Sequence, residues 1–531
     1  MTISSHPDPN NTLPDSCDVL IIGAGVGGLT AGAILAKAGL HTVILEAAKQ
    51  PGGYLAGFKR KGFKFDTSIH WLSQCGPGGS VRNIFNHIGH GMPECPQLHR
   101  IHRFKGDTFD YTLTSEPLVL RDQLSRDFPS ERVGITRFFD DARKLGDRLD
   151  RMNYRVQNIE SMSPLGKAVF GMKMLAWVLP VLRHLRSPVD KGLANYFKSQ
   201  ELRAIFNSQE SFMSVIVPVA WAFTKNFQAA PTGGSSTIIH WLCSKIVANG
   251  SQVILRQRVE KILIDDHNTV TGVLLAGGHK VFSSYIIAAC DIQVLYNRML
   301  PEQAVPSYVK NAVNRAELHD SCFTLFLGLD CDPTLLGFGE EVLNLTTTNP
   351  NRADHVGGDP HRSIIMVVSS SVRDPSMAPP GKGSIMIQCP ASMGYMANWA
   401  TEDGLARGQA YRDLKAQFAD IILDRVENAV APDLRKHIEV METASPITYW
   451  RYTANTGGTT LGSKPTAKNI KTKVSHYKTP IKKLFIGGHC AEYGGGVPLA
   501  VKAGANSSLL ILKDLKHPDF NALKRVLAGK K

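Results

Sequence analysis

The sequence predicts an α/β protein whose main domain, a largely parallel β-sheet covered by helices, is assembled from separate parts of the chain. Three observations carry this prediction. A strand–glycine loop–helix–strand unit occupies residues 18–46, a helix and a β-meander occupy 231–291, and a strand–glycine loop–helix unit occupies 478–512. Because stretches of different character separate these blocks, we expect a discontinuous domain with an α+β domain inserted into it.

The N-terminal unit has the layout of a dinucleotide-binding site. Gly23 permits a tight turn, Gly25 lets the backbone approach a pyrophosphate, and Gly28 lets the following helix pack closely on the strand. Glu46, at the end of the second strand, can accept hydrogen bonds from ribose hydroxyls. The predicted strands are Val19–Ile22 and Thr42–Leu45, and the helix between them ends near Ala38. The unit predicts a bound dinucleotide and leaves FAD and NAD open.

Length and composition indicate a multidomain globular protein. At 531 residues, with 43% hydrophobic and 20% charged residues, the chain can bury two or three cores. Residues 1–16 are polar and contain three prolines, which predicts a disordered leader rather than a signal peptide. The nine cysteines form no C-x-x-C pair, so we expect free thiols in a reducing compartment and no metal site.

The formal charge of +14 would suit a nucleic acid, an anionic membrane surface or simple solubility. Lys and Arg are spread along the chain and no nucleic-acid-binding module is recognisable, so we predict no nucleic-acid partner. A peripheral membrane contact is the favoured interpretation, and a merely basic surface is the alternative.

One apolar segment bears on that choice. Residues 168–182 (AVFGMKMLAWVLPVL) are too few to span a bilayer. Flanked by Lys167, Arg183 and Arg186, the segment could lie in a membrane interface with its cations facing headgroups. The alternative is a core helix that lines a substrate cavity. The two interpretations are compatible.

A second glycine pair favours FAD over NAD as the cofactor. Pro51-Gly52-Gly53-Tyr54 follows Glu46 and precedes a predicted strand over 62–71 (GFKFDTSIHW). A plain NAD dehydrogenase requires no such pair, whereas an extended FAD needs backbone N–H groups along its pyrophosphate. A surface turn before a hairpin is the alternative.

The C-terminal unit also favours FAD over NAD. A predicted strand, Leu484–Ile486, leads through Gly487-Gly488 and Gly494–Gly496 into a helix from about Pro498 to Leu512. Such a helix directs its N-terminus at an electron-rich group, which in a flavin enzyme is the ring edge that gains negative charge on reduction. Glycines let the backbone pass the ring without a side chain in the way. The two units together predict FAD.

With PTGGSS (231–236) and TASPITYWRYTANTGGTTLG (443–462), these motifs resemble the phytoene desaturase, carotenoid cis–trans isomerase and retinol saturase family, part of the FAD-dependent amine-oxidase-like superfamily. The resemblance covers nearly the whole chain and is strongest in the cofactor segments. It implies a GR2-type Rossmann-like FAD-binding domain, a hydrophobic tunnel and attachment to the cytoplasmic side of a membrane. The predicted parts are a leader, 1–16; the FAD-binding domain, 17–105, 229–295 and 440–531; and a substrate-binding and membrane-associating domain, 106–228 and 296–439.

Residue by residue, the resemblance implies two sets of cofactor contacts. The ADP part would be bound by Gly23, Gly25, Gly28, Glu46, Gly52, Gly53 and the backbone of Val259, and the flavin end by Gly488, His489, Gly496 and Val497. Three positions depart from the superfamily pattern. Tyr54 stands where an Arg is common, Ser68 where a Gly is usual, and His489 where an Asp often bonds the ribityl chain.

The implied activity is FAD-dependent oxidoreduction at the C=C or C–C bonds of a long hydrophobic polyene or isoprenoid, by desaturation, saturation or redox-assisted isomerisation. No second strand–GxGxxG–helix unit is present, so electrons would leave to oxygen or a quinone, or would come from a separate donor. His70 and His489 are the candidate catalytic groups, with a structural role as the alternative for each. Flavin amine oxidation and a non-catalytic prenyl-binding carrier are the alternative functions.

Overall fold

The computed structural model describes residues 12–153, 156–179, 189–207, 216–224, 226–346 and 352–529. Most of the predicted leader lies outside these residues, and the first strand already begins at Ser16. The strands are β1 Ser16–Ile22, β2 Thr42–Glu46, β3 Phe58–Arg60, β4 Phe63–Phe65, β5 Leu72–Ser73, β6 Arg100–Lys105, β7 Asp110–Thr114, β8 Phe227–Gln228, β9 Gln252–Leu255, β10 Val259–Ile264, β11 Val270–Leu275, β12 Lys280–Ala288, β13 Ser321–Leu329, β14 Val342–Leu345, β15 Ile365–Ser369, β16 Gly383–Ala391, β17 Ile438–Ala444 and β18 Leu484–Ile486. The main helices are α1 Val26–Lys37, α2 Ser80–Ile88, α3 Pro117–Asp127, α4 Arg132–Asn153, α5 Pro164–Val178, α6 Val189–Ala194, α7 Gln200–Phe206, α8 Val217–Phe223, α9 Ser236–Ala248, α10 Ser307–Asn314, α11 Gln409–Ala429, α12 Pro446–Thr453, α13 Ala467–Thr472, α14 Val497–Asp514 and α15 Phe520–Leu527.

The first sheet joins the three predicted blocks. Its order is β10-β11-β12-β1-β2-β9, and β18 pairs with β12. The pairs β1–β2, β1–β12, β2–β9 and β12–β18 are parallel, whereas β10, β11 and β12 form an antiparallel meander. Parallel strands end at one edge, so the chain leaves β1, β2, β12 and β18 at the same side of the sheet. The predicted Rossmann-like α/β fold with a discontinuous sheet is confirmed.

The second sheet has the order β17-β13-β16-β15-β14-β6-β7, and only β14–β6 is a parallel pair among these strands. The apolar run 322–329 lies in β13, and the run 363–371 contains β15. The predicted domain limits at 105 and 440 fall on β6 and β17, which belong to this second sheet. The assignment of segments to two domains stays a prediction.

The predicted strand over 62–71 is largely wrong. Only Phe63–Phe65 is extended, in a short hairpin with β3, and the chain then turns. The cause is Asp66, whose carboxylate accepts hydrogen bonds from the backbone N–H and the hydroxyl of Ser235 at 2.8 and 2.6 Å. This distant attachment diverts the backbone from a strand. Asp66 therefore joins two segments and does not simply fix a local turn.

Segment 130–228 is mostly helical where it is described, but helix α5 is not a core helix. Its described apolar residues include Leu165, Met172 and Leu175, which are 76, 64 and 59% exposed. The interpretation as a buried cavity-lining helix is thus wrong for 168–179. Residues 180–188, with Pro180, Arg183 and Arg186, lie outside the described residues. Within the described residues, no helix combines the length and apolar character needed to cross a bilayer.

Candidate cofactor site

Three glycine-rich turns meet at the carboxyl edge of the first sheet. A Cβ atom on Gly23, after β1, would lie 3.0 Å from the carbonyl oxygen of Ala289, after β12. A Cβ on Gly488, after β18, would lie at the same distance from that oxygen. Gly23 also has φ +105°, a conformation that a side chain would strain. The predicted ADP-side and flavin-side glycines are therefore neighbours in space.

Two helix N-termini lie side by side at this edge. A Cβ on Gly27, in the first turn of α1, would be 2.9 Å from the carbonyl oxygen of Ala500, in the first turn of α14. One further turn along α14, a Cβ on Gly504 would overlap the carbonyl oxygen of Gly27. Both helices thus direct unpaired N–H groups and positive dipole ends toward one place. That arrangement suits a pyrophosphate.

The space between the turns is open at the predicted glycines. Among the described residues, apart from its chain neighbours, no atom lies within 4 Å of a Cβ built on Gly25, and a Cβ built on Gly53 lies 3.6 Å from the Cα of Gly25. Gly52 donates its N–H to the carbonyl oxygen of Ala24 at 2.8 Å, which aligns the two turns. By contrast, a Cβ on Gly28 would overlap the Gly23 carbonyl oxygen, so close packing requires glycine there. These residues fit a dinucleotide cradle.

Glu46 lies at the adenosine side of this cradle. Its carboxylate oxygens accept hydrogen bonds from the backbone N–H groups of Ala24 and Ala48, each at 2.8 Å. Each oxygen retains a second lone-pair direction, which can accept a ribose hydroxyl. Gln257 donates its N–H to the Glu46 carbonyl oxygen at 2.8 Å, so Val259, two residues further at the start of β10, is held near the same end. The geometry agrees with the predicted contacts, whose roles stay predictions.

The flavin-side loop is held by a segment from the C-terminal third of the chain. Gly494 donates its N–H to the carbonyl oxygen of Ser463 at 3.1 Å, and a Cβ on Gly495 would overlap the Leu461 carbonyl oxygen. Gly496 has φ +88° and directly precedes α14. Helix α14 begins at Val497 and continues to Asp514, two residues beyond the predicted end. The three successive glycines are each required by a left-handed conformation.

His489 lies in this loop. Burial lowers the pKa of its imidazole, and the nearby Asp291 carboxylate opposes that shift. A Cβ on Gly462 would lie 2.7 Å from His489 Cδ2, so the loop at 456–463 packs against the ring. His489 is thus a neutral, partly buried group beside the predicted flavin end, while its catalytic role stays a prediction.

His70 belongs to a different, polar cluster. Arg373 Nη1 donates a hydrogen bond to the His70 carbonyl oxygen. Its Nε donates to the Glu340 carbonyl oxygen, and this second bond is 2.6 Å long. Burial and then the charge of Arg373 lower the pKa of His70 to about 4. Burial and the charges of His70 and Arg373 lower the pKa of His102 to about 3. Both histidines are therefore neutral near pH 7, and Arg373 carries the charge.

The His70 cluster is linked to the cofactor loop through Thr67. The Thr67 hydroxyl donates to the Tyr54 carbonyl oxygen at 2.7 Å, and the Tyr449 hydroxyl donates to the Thr67 carbonyl oxygen at 3.2 Å. Tyr54 in turn donates its hydroxyl to the Thr459 carbonyl oxygen at 2.8 Å. Tyr54, in place of an Arg, thus fastens the Gly52-Gly53 turn to the second sheet and to the loop at 456–463.

Sequence reasoning missed Asp291, Arg373 and Tyr449 as parts of the site. For Asp291 a signal existed, since an acid at the carboxyl end of a parallel strand lies at the ligand edge. No comparable signal marked Arg373 or Tyr449, because each reaches the site only through the packing of the second sheet.

The chain matches the family model described as flavin containing amine oxidoreductase over residues 26–512. It is 23% identical to the all-trans-retinol 13,14-reductase of Danio rerio, over 97% of this chain and 90% of the relative. It is 22% identical to an inactive all-trans-retinol 13,14-reductase of the same species, over 98% of this chain and 90% of that relative. It is 24% identical to prolycopene isomerase 1 of an Oncidium hybrid cultivar, over 83 and 74%. Among solved structures, cyclohexylamine oxidase of Brevibacterium oxydans has a similar fold, with a TM-score of 0.58 at 14% identity over 95 and 100%.

Proposed function

We propose that this chain, which belongs to the family of flavin-containing amine oxidoreductases, binds FAD and acts on the C=C or C–C bonds of a long hydrophobic polyene or isoprenoid. The predicted class, a flavin oxidoreductase, is confirmed by the family. Relatives named for a retinol reductase and a prolycopene isomerase support a polyene substrate. The proposal covers desaturation, saturation and redox-assisted isomerisation.

The observation that carries the substrate class is an apolar layer next to the cofactor loop. Tyr54, beside Gly53, packs on a cluster formed by the β3–β4 hairpin and the second sheet, in which the ring centroids of Phe65 and Phe326 are 5.9 Å apart. Trp71 packs against the same cluster and against Phe227. The residues of this layer are apolar or uncharged. They include Phe63, Phe65, Cys322, Phe326, Val342, Val368, Met386, Val440 and Tyr449. These side chains are buried in a packed core, and we propose that the hydrocarbon chain of a substrate binds beside this dry layer.

The residues of the chain would bind and orient the substrate, and the flavin would supply hydride or electron transfer. His489, near the predicted flavin end, and His70, in the separate cluster with Arg373, are both neutral, so neither imidazole places a charge beside an apolar substrate. In a desaturation two hydrogen atoms leave the substrate, and we propose oxygen or a quinone as the final acceptor.

Substitution of Gly25 tests the cofactor site. The methyl group in Gly25→Ala meets no atom of the described part of the chain within 4 Å, so the fold should persist while the methyl occupies the place of the pyrophosphate. We expect purified wild type to be yellow. The variant should bind flavin at least about tenfold more weakly, which corresponds to a loss of about 1.4 kcal/mol of binding free energy. Gly171→Ala, on the exposed surface of α5, is the matched control. A colourless wild type that stays colourless with added FAD would indicate a carrier instead of an enzyme.

Amine oxidation is the second candidate, because one observation favours it. The rings of Tyr54 and Tyr449 have centroids 5.8 Å apart, and two aromatic rings can flank an amine. The buried guanidinium of Arg373 beyond Thr67 argues against a cationic substrate there. Anaerobic incubation with a panel of polyenes and amines separates the two candidates. Bleaching of the flavin by an amine and by no polyene would replace the first proposal with the second.

We also propose that the protein attaches peripherally to the cytoplasmic face of an anionic membrane through α5. The exposed apolar residues Leu165, Met172 and Leu175 lie on one helix with the exposed cations Lys167 and Lys173. This combination suits the boundary between acyl chains and headgroups.

A further inference from the structure

The ends of two neighbouring strands bring three metal-ligating side chains together. Among the described residues, one group of this kind converges: a carboxylate oxygen of Asp330, the sulfur of Cys331 and a ring nitrogen of His437 lie within 4.8 Å of one another. None of the three belongs to the proposed cofactor site. The expectation of no metal site rested on the lack of a C-x-x-C pair, and a group assembled from distant segments escapes that pattern.

The backbone holds these residues in place. Strands β13 and β17 pair antiparallel at the edge of the second sheet, and β13 ends at Leu329. Beyond that point the Asp330 N–H still donates to the His437 carbonyl oxygen at 3.0 Å, so the two residues remain neighbours across the strands. The chain bends at 330–331. Because of this bend, Asp330 and Cys331 can direct their side chains to one side, whereas successive residues of a regular strand point to opposite faces.

The side chains are close to the spacing that a tetrahedral ion requires. His437 Nδ1 and Asp330 Oδ1 are 2.7 Å apart, a distance at which they share a proton. Ligand atoms at bond lengths of about 2.0–2.3 Å from a tetrahedral zinc ion are about 3.3–3.8 Å apart. An ion in place of the proton would separate this pair by roughly 0.6 Å and draw in Cys331 Sγ by at most about 1 Å. The Asp330 and His437 side chains are 45 and 34% exposed, so they can make this adjustment.

The charges around the group favour a cation. Asp332 carries a second carboxylate, which accepts hydrogen bonds from the backbone N–H and the hydroxyl of Thr334 at 2.8 and 2.7 Å. The ammonium group of Lys436, next to the histidine, is paired with Asp433 at 2.6 Å. The two carboxylates that flank Cys331 in the sequence thus attract a cation to this end of β13.

The donor set determines which ion fits. Ca²⁺ and Mg²⁺ prefer a shell of oxygen ligands, whereas a thiolate, an imidazole and a carboxylate are all ligands of zinc. Three protein ligands leave the fourth position of a tetrahedral ion to a water molecule. The partial exposure of the group gives water access to that position.

We propose that Asp330, Cys331 and His437 form a zinc site that fastens the edge strand β17 to β13. The ion stabilises the protein, because a ligand that binds the folded chain and not the unfolded chain shifts the unfolding equilibrium by mass action. The strand fixed in this way leads directly into α12.

Zinc content and cobalt absorption test the site. The flavin-loaded full chain, treated with a chelator, is dialysed against Zn²⁺, and the bound metal is compared with the amount of protein. We expect one ion per chain and an unfolding temperature that rises with the zinc concentration. With Co²⁺ in place of zinc, tetrahedral coordination should give absorption bands in the red, where oxidised flavin does not absorb. Ca²⁺ and Mg²⁺ should produce neither effect.

Cys331→Ser and His437→Gln each remove one ligand. Loss of a residue that merely orients a ligand costs about 10–100-fold in metal affinity, so each variant should bind Zn²⁺ at least about a hundredfold more weakly. Each should also lose the zinc-dependent rise in unfolding temperature. Cys243→Ser and His279→Gln are the matched controls, because Cys243 is half-buried like Cys331 and His279 is exposed. Both controls should bind Zn²⁺ as wild type does.

The outcomes separate a built site from adventitious binding. Equal binding of Zn²⁺ by wild type and all four variants would show an adventitious ion only and overturn the proposal. No retained Zn²⁺ on wild type, or Co²⁺ binding without the tetrahedral bands, would overturn it as well. If His437→Gln fails to fold after losing its bond to Asp330, Cys331→Ser alone decides. The flavin is not involved in these measurements, so failure of the zinc site leaves the proposed function intact.

Discussion

Asp291 and Thr456, 165 positions apart in the chain, are joined by two hydrogen bonds. The Thr456 backbone N–H donates to Asp291 Oδ2 and its hydroxyl donates to Oδ1, each at 2.9 Å. Oδ1 also accepts from the backbone N–H groups of Gln293 and Val294 at 2.9 and 3.0 Å. One carboxylate at the end of β12 therefore fixes the loop at 456–463, which in turn packs against His489 and Gly495.

We expect Asp291→Ala to lower the free energy of unfolding by about 2 kcal/mol, because several backbone donors lose a charged acceptor. Flavin should also dissociate more readily, since the flavin-side loop loses its support. Urea unfolding and the fraction of flavin retained on gel filtration measure the two effects. Thr456→Val removes one of the bonds, and a double-mutant cycle should give a coupling energy of at least about 0.5 kcal/mol. Strict additivity together with full flavin retention would contradict this role.

The contact between α1 and α14 predicts the effect of adding one methyl group. A Cβ on Gly504 would overlap the carbonyl oxygen of Gly27, and helix backbone cannot yield as a flexible side chain can. We therefore expect Gly504→Ala to destabilise the protein by about 1–3 kcal/mol, as overpacking does. Thermal and urea unfolding measure the change.

Gly171→Ala provides the comparison, since the new Cβ, on α5, meets no atom within 4 Å among the residues that the structure describes. Alanine is the better helix former by about 1 kcal/mol, so this variant should be slightly more stable than wild type. If Gly504→Ala behaved like Gly171→Ala, the close approach of the two helices would be disproved.

The glycine positions explain why the cofactor half of the fold was predictable. At Gly23, Gly28 and Gly496 the backbone conformation or close packing excludes a side chain. Glycine meets that requirement, so the residue type itself marks these positions in the sequence. Strands β1 and β18 are mostly buried, and their runs of apolar residues predict buried strands.

The remainder depended on contacts between distant segments. GFKFDTSIHW alternates like a strand, but the bonds from Ser235 to Asp66 outweigh that local preference. Apolar composition alone could not show that α5 would be exposed, because the same residues suit a core or a membrane surface. Arg373 contacts His70 across a separation of 303 positions, which no local sequence pattern reveals.

For the proposed membrane contact, Leu175→Glu should weaken binding to vesicles that contain anionic lipid. Leu175 is 59% exposed, so the change should leave the stability within about 0.5 kcal/mol of wild type while it places a charge in the apolar interface. Cosedimentation with anionic and with neutral vesicles measures the effect. Leu335→Glu is the control, because Leu335 is 78% exposed in a different part of the protein. Equal binding by wild type and both variants would count against α5 as the attachment site.

The two histidines near Arg373 predict a loss of stability in acid. In the folded protein the pKa of His70 is about 4 and that of His102 about 3, against an unperturbed value near 6.5. Between those values the unfolded chain binds protons that the folded protein excludes. Stability is therefore fully present above about pH 6.5 and falls as the pH decreases, by up to about 1.4 kcal/mol per pH unit for each histidine.

His102→Gln should reduce the slope of unfolding free energy against pH by about one proton, because one of the two groups no longer titrates in the unfolded chain. Its absolute stability will also change, since His102 is buried and contacts Asn344, but the slope is read independently of that offset. Urea unfolding at several pH values from about 7.5 to about 5 gives the slope. His279→Gln, at an exposed position, is the control. If His102→Gln and His279→Gln changed the slope equally, the pH dependence would not originate in the buried cluster, and the neutral state assigned to these histidines would be wrong.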